Sequence, residues 1–202
     1  MPLWQDEAPL VLASRSSSRR TMLEAAGIPL EIRVADIDER AVEKAAGVCG
    51  PAQAAALLAG EKAKAVARLM PGRIVAGADQ TLSFEDRRLD KPADIAAARA
   101  QLAMLAGRTH HLHSAVAVVE DDKVLFDAVD TASLTLRPLS GAFLERYLDA
   151  AGSAVLSSVG AYQLESTGIH LFERIEGNYF TILGLPLLPL LGFLRRRGSL
   201  AA

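Results

Sequence analysis

A single cysteine in 202 residues, Cys49, excludes an internal disulfide and a multi-cysteine metal cluster, and it suits a reducing compartment. Lying in Gly-Val-Cys-Gly-Pro with no obvious partner, it makes a weak candidate nucleophile. Charge of one sign is also missing. With 22 basic against 24 acidic residues the net charge is -2, so no global field draws in nucleic acid or an anionic membrane, and any anion site must be local. No apolar run reaches the roughly 20 residues that span a bilayer. The longest, Ile182 to Leu194, contains Pro186 and Pro189 and reads as a buried C-terminal helix entered through prolines. Arg195 to Arg197 then complement the dipole of its frayed end. Met1 to Pro9 carries no apolar signal-like core, which makes the cytoplasm the expected location. Gly-x-x-x-x-Gly-Lys and Gly-x-Gly-x-x-Gly are both absent, which disfavours a P-loop ATPase and a nicotinamide enzyme. Repeats, low-complexity tracts and divisive linkers are absent too, so residues 1–202 are expected to form one domain.

Predicted elements alternate between helix and strand. Leu10 to Ala13 and Glu31 to Val34 read as strands, and Ser18 to Ala26 as a helix stopped by Gly27. The Ala-rich stretch from about Gln53 to Leu69 is a strong helix former. Ile74 to Ala78 makes a short strand that ends at Asp79, followed by a hairpin in which Thr81 to Phe84 and Arg88-Leu89 flank Glu85-Asp86-Arg87. Asp94 and Ser140 can cap helices running to Leu105 and Leu148. Ala115 to Val119 pairs with Val124 to Phe126 in a second hairpin, and Thr131 to Leu136 forms a separate strand. Hairpins mixed with long helices exclude an all-parallel sheet, so the fold class is α/β with a mixed central sheet flanked by helices.

Chemistry-bearing residues gather at the ends of these elements. Leu10 to Arg20 runs an apolar strand into four serines and three arginines that open a helix. Hydroxyls, unpaired helix N–H groups and guanidinium forks suit an anion there, while a serine-capped helix with solvated arginines explains the same residues. Asp38-Glu39, Glu61-Lys62, Ala78-Asp79-Gln80 and Lys91-Pro92 add acids and cations. Together they supply what phosphoanhydride hydrolysis needs: cations for the polyphosphate, carboxylates for a divalent metal, and one carboxylate to activate water. Spacing alone does not say which carboxylate does which. In an extended segment His111 and His113 share a face and His110 points away, which favours hydrogen bonding within a sheet over a zinc site. The polar-aromatic loops Gly160 to Glu165 and Glu173 to Phe180 have the wall and the polar atoms that a nucleobase needs, and turn chemistry accounts for them equally.

Eight motifs follow in one order: Leu-Ala-Ser-x-Ser-x-x-Arg-Arg, Asp-x-Asp-Glu, Glu-Lys-Ala, Gly-Ala-Asp-Gln, Lys-Pro, Leu-x-Gly-Arg-Thr-His, Gly-Ala-Tyr and Ile-Glu-Gly-x-Tyr-Phe-x-x-x-Gly-Leu-Pro-Leu. In this the chain resembles the Maf family of nucleoside triphosphate pyrophosphatases from Leu10 to about Arg197. The resemblance implies an elongated, two-lobed fold similar to the inosine-triphosphate pyrophosphatases, a cleft between the lobes, and a homodimer. It also implies hydrolysis of a nucleoside triphosphate to monophosphate and diphosphate with Mg2+ or Mn2+, without a nucleic-acid or membrane partner. By motif, Asp79 would activate water, Ser14, Arg20, Lys62 and Lys91 would contact the phosphates, and Glu39 would join Asp79 at the metal. Base choice would fall to Ser18, Gln80 and Glu165. Asp-Gln together with Glu165 looks like the 7-methyl-GTP subgroup, since the dTTP/UTP subgroup typically has Asp-Thr and a Gln. A buried Glu165 would pair with the acidified edge of a methylated, cationic guanine. Three positions depart from the family pattern: Ser16-Ser17 replaces Ser-Pro, Ser18 replaces a bulky or basic residue, and Asp90 replaces a common Gly. A dTTP/UTP-type pyrophosphatase and a nucleotide-binding regulator of septum formation with little hydrolysis are the alternatives that the family allows.

Overall fold

The computed structural model describes residues 2–47, 50–85 and 87–202, so Cys49 lies outside the described residues, as does Asp86 of the predicted hairpin. Two compact units make up the chain. One comprises Met1–Gln80, Ser114–Asp130 and Gly184–Ala202, the other Thr81–His113 and Thr131–Leu183.

In the first unit, strand β1 (Leu10–Ala13) is wholly buried and runs parallel to β2 (Leu30–Ile32) on one side and β3 (Ile74–Phe84) on the other. Helix α1 (Ser17–Ala25) starts where Ser16 accepts a hydrogen bond from Arg19 N, so the serine cap read from the sequence is present. Gly27, at φ 75°, ends that turn. Asp38 caps α2 (Glu39–Ala46), a short helix with no buried residue. Helix α3 (Pro51–Ala67) buries Ala55, Ala59 and Ala63, and these small side chains bring it close to the sheet. At Gly77 a Cβ would lie 2.2 Å from Ala59 O and 2.6 Å from Ala63 N. Only glycine admits that approach.

In the second unit, β3 pairs antiparallel with β4 (Arg87–Leu89), and α4 (Ile95–Leu105) opens at Asp94, whose side chain accepts from Ala97 N. Helix α5 (Gly141–Ala151), capped by Ser140, packs Leu144, Tyr147 and Leu148 into a core with Leu102, Leu105, Leu134 and Leu171. Strand β7 (Phe172–Glu176) runs antiparallel to β6 (Lys123–Leu136), and α6 (Tyr179–Ile182) follows it. Strand β5 (Thr109–Glu120) completes a seven-stranded sheet in the order β2-β1-β3-β5-β6-β7, with β4 on β3. Parallel and antiparallel pairs coexist, which is the mixed α/β class expected.

Two strand predictions need correction. Strand β3 does not stop at Asp79 but continues to Phe84, because the Asp79 carboxylate is paired inside the structure and Thr81 to Phe84 alternates like a strand. Likewise Val124 to Phe126 and Thr131 to Leu136 are one strand, Asp127 and Asp130 lying within it rather than in a turn. The C-terminal helix α7 (Leu187–Arg197) starts later than predicted, at Pro186, because Gly184 at φ 99° breaks the segment after α6. No helix among the described residues is long and apolar enough to cross a membrane.

Candidate active site

Asp79 sits at the centre of the first unit's polar cluster, and the close packing of α3 on β3 explains its partner. Residues 77 and 79 share a strand face, so the helix that presses on Gly77 presents Lys62 to Asp79. Lys62 Nζ donates to Asp79 Oδ1 at 2.6 Å and lies 2.7 Å from Glu39 Oε1. Glu39 opens α2, where an acid also complements the helix dipole. One ammonium thus draws two carboxylates from different elements onto a single point.

Burial dominates the titration of Asp79, which is only 8% exposed. Desolvation raises its pKa above the ordinary carboxylate range, Lys62 and Arg19 pull it back, and Glu39 pushes it up again. Arg19 lies beside this cluster. Its Nη1 donates to Ala78 O at 2.8 Å and to Ser14 Oγ at 3.2 Å, and its Nε donates to Gly184 O at 2.8 Å. Burial lowers the Arg19 pKa, while Asp79 and Glu39 oppose that shift. Ser14 Oγ also accepts from Ser16 N at 3.2 Å, so the first serine of the turn is tied to Arg19 and to the start of α1.

The remaining predicted site residues take distinct positions. Arg20 forms an exposed i,i+4 ion pair with Glu24 at 2.8 Å. Gln80 occupies the strand face opposite Asp79 and donates to the buried Ser114 Oγ at 3.0 Å. Ser18 is half-buried in the first turn of α1. Lys91 is exposed in the second unit, after β4. Glu165, expected to be buried, is exposed, because it lies on a surface turn between short 3-10 segments.

Glu165 does line a pocket of about 350 Å3 within the second unit, together with Leu164, Ser166, Ile175, Tyr179 and Ile182. Its walls are mostly apolar, and the half-exposed Tyr179 ring supplies an aromatic surface. Two of the three histidines, His111 and His113, hydrogen-bond within the sheet as expected, whereas His110 reaches a loop residue, Tyr162. His111 Nδ1 bonds Ser133 Oγ at 2.9 Å, His113 bonds Ser83 Oγ at 2.8 Å and Thr131 Oγ1 at 2.9 Å, and His110 bonds Tyr162 Oη at 2.7 Å. No group of three His, Cys, Asp or Glu side chains converges as a metal cage among the described residues.

A family model described as Maf-like protein matches residues 9–197. The chain belongs to this Maf-like family. A nucleoside triphosphate pyrophosphatase of Rhodopseudomonas palustris is 56% identical over 201 residues, covering 100% of both chains. A 7-methyl-GTP pyrophosphatase of Rhizobium meliloti is 51% identical over 195 residues, covering 96% of this chain and 98% of its own. Among solved structures, a HAM1 protein from Coxiella burnetii superimposes with a TM-score of 0.43 at 20% identity, over 63% of this chain and 72% of that one. Of the Maf-like motif residues, Ser14, Glu39, Lys62 and Asp79 meet in one unit. Arg19 is what sequence reasoning passed over. The paired arginines drew attention to Arg20, yet a position one residue earlier on α1 points back to β1 and β3.

Proposed function

We propose that this chain hydrolyses the α–β phosphoanhydride of a nucleoside triphosphate, releasing the monophosphate and diphosphate, with 7-methyl-GTP the favoured substrate. The observation that carries this reading is the buried Asp79 carboxylate held with Glu39 by one lysine. A carboxylate whose pKa is raised by burial is a stronger base than an exposed one and suits the task of orienting and deprotonating the attacking water. Lys62 in this reading turns from the carboxylates to the incoming phosphates. Ser14 adds a hydroxyl for those oxygens, and Arg20 joins it because an exposed pair such as Arg20 with Glu24 holds its partners weakly. Arg19 fixes the backbone beside Asp79.

A divalent cation fits the same two carboxylates. Glu39 Oε1 and Asp79 Oδ1 already converge on a positive charge, and hard carboxylate oxygens suit Mg2+ or Mn2+. When bound, such an ion supplies charge neutralisation at the triphosphate. Two protein ligands are typical of Mg2+, which keeps several waters and takes substrate phosphates as further ligands.

We assign the base to the second unit's pocket. N7-methylation makes guanine cationic, and an aromatic ring plus a carboxylate, Tyr179 and Glu165, is the chemistry that recognises a flat cation. The 51% identical relative named for 7-methyl-GTP supports the same substrate. Side-by-side assay of 7-methyl-GTP, GTP, UTP and dTTP should give the methylated nucleotide a kcat/KM about tenfold or more above GTP, the worth of roughly 1.4 kcal/mol of cation recognition. A preference for UTP or dTTP overturns the base assignment.

A further inference from the structure

The turn leading to Glu165 is held in a costly conformation by buried side chains that the chemistry above does not use. Gly160 and Ala161 adopt φ 81° and 61° in succession. At Gly160 a Cβ would lie 2.7 Å from the Tyr162 ring and 2.8 Å from Leu82 Cδ1, so the position needs glycine for space as well as for φ. Ala161 has no such licence, and a left-handed non-glycine residue persists only where its surroundings over-determine it. Here two hydroxyls do so. Tyr147 Oη donates to Ala161 O at 3.1 Å, and Tyr162 Oη shares a 2.7 Å hydrogen bond with His110 Nε2. The Tyr162 ring also meets Phe172 edge-on, with centroids 4.9 Å apart.

His110 itself is an expensive choice. It is fully buried, and its Nδ1 has no hydrogen-bond partner among the described residues. Burial, helped by His111, pushes its pKa down to about 4, so the ring is neutral at physiological pH. A phenylalanine or leucine would fill an apolar core without leaving a nitrogen unsatisfied. What the imidazole supplies is a fixed partner for Tyr162, which stands two residues before Leu164 and three before Glu165. Strain that is over-determined in this way clusters at ligand clamps.

We propose that His110 and Tyr147 are positioning residues for base selectivity, locking the Gly160–Tyr162 turn so that Leu164, Glu165 and Ser166 face the pocket. This rests on the assignment of that pocket to the base. The test compares Tyr162→Phe, Tyr147→Phe and His110→Leu with the unaltered enzyme, measuring kcat and KM for 7-methyl-GTP and GTP together with melting temperature. Each variant should lower the kcat/KM ratio of 7-methyl-GTP to GTP by about fivefold or more, through a raised KM for 7-methyl-GTP with kcat changed less than twofold. His110→Gln, which keeps a polar partner for the Tyr162 hydroxyl, should recover part of the ratio. A structural role alone would lower stability and depress both substrates equally, and an unchanged ratio in Tyr147→Phe and Tyr162→Phe overturns the proposal. Ile175→Trp, which fills the pocket directly, separates the two readings. If it alone moves the ratio, the positioning role falls and the pocket assignment stands. If no variant moves it, both fall.

Discussion

Replacing Asp79 by asparagine is expected to lower turnover by about a thousandfold while nucleotide binding stays within a few-fold, because the amide keeps the shape of the carboxyl and loses the base. The same substitution separates chemistry from folding. Burial raises the folded-state pKa of Asp79 above its unfolded value, so the native state holds this proton more tightly than the unfolded chain does. Its contribution to stability is therefore fully present below the unfolded carboxylate pKa and lost as pH rises through the folded one. At neutral pH the ionised carboxylate weakens the fold, and Asp79→Asn should melt at or above the wild-type temperature, with the difference shrinking in acid. Wild-type turnover should fall on the acid side as this carboxylate takes up a proton and ceases to be a base. Thermal melts and rates taken across pH check both limbs. Substantial turnover in the variant removes Asp79 from its role, and a lowered melting temperature at neutral pH contradicts the burial argument.

Gly77→Ala is expected to cost about 3 kcal/mol, the upper range for overpacking, which for a chain of this size is roughly 6–12 °C in Tm. The new Cβ would lie 2.2 Å from Ala59 O, 2.6 Å from Ala63 N and 2.9 Å from Ala63 Cβ, and two of these are backbone atoms that no side-chain rotation can move. Helix α3 must retreat from β3, and Lys62, next to Ala63, retreats with it. Since misplacement of about 1 Å at a site can cost on the order of a hundredfold in rate, activity should fall well before unfolding. Gly60→Ala on the same helix is the control. Nothing lies within 4 Å of its added Cβ, so it should be neutral or raise stability by up to about 1 kcal/mol. Equal losses in the two variants would show that the close approach of α3 does not position the lysine.

Periodicity and capping made most of the architecture legible. Asp94 and Ser140 start helices as their side chains suggest, and the mixed sheet follows from hairpins interspersed with helices. Charged residues inside strands were harder to read. Asp79, Asp127 and Asp130 resemble turn formers in isolation, and only long-range pairing and sheet context keep them extended. The site was legible as an inventory of acids, cations and hydroxyls, but not as a geometry. Nothing in one sequence shows that Lys62 spans Glu39 and Asp79, or that Arg19 rather than Arg20 turns inward, because those outcomes depend on which faces of α1 and α3 meet the sheet. Hydrogen bonding within the sheet holds for His111 and His113, while His110 bonds the loop residue Tyr162, 52 residues away, a partner that only the fold reveals.

Product analysis tests the central assignment most directly. Wild-type protein would be incubated with 7-methyl-GTP and Mg2+ or Mn2+, and the phosphorus-containing products quantified by 31P NMR. Cleavage of the α–β anhydride predicts diphosphate and nucleoside monophosphate in equal amounts, both suppressed in Asp79→Asn. Orthophosphate with nucleoside diphosphate, or an intact triphosphate, would contradict it.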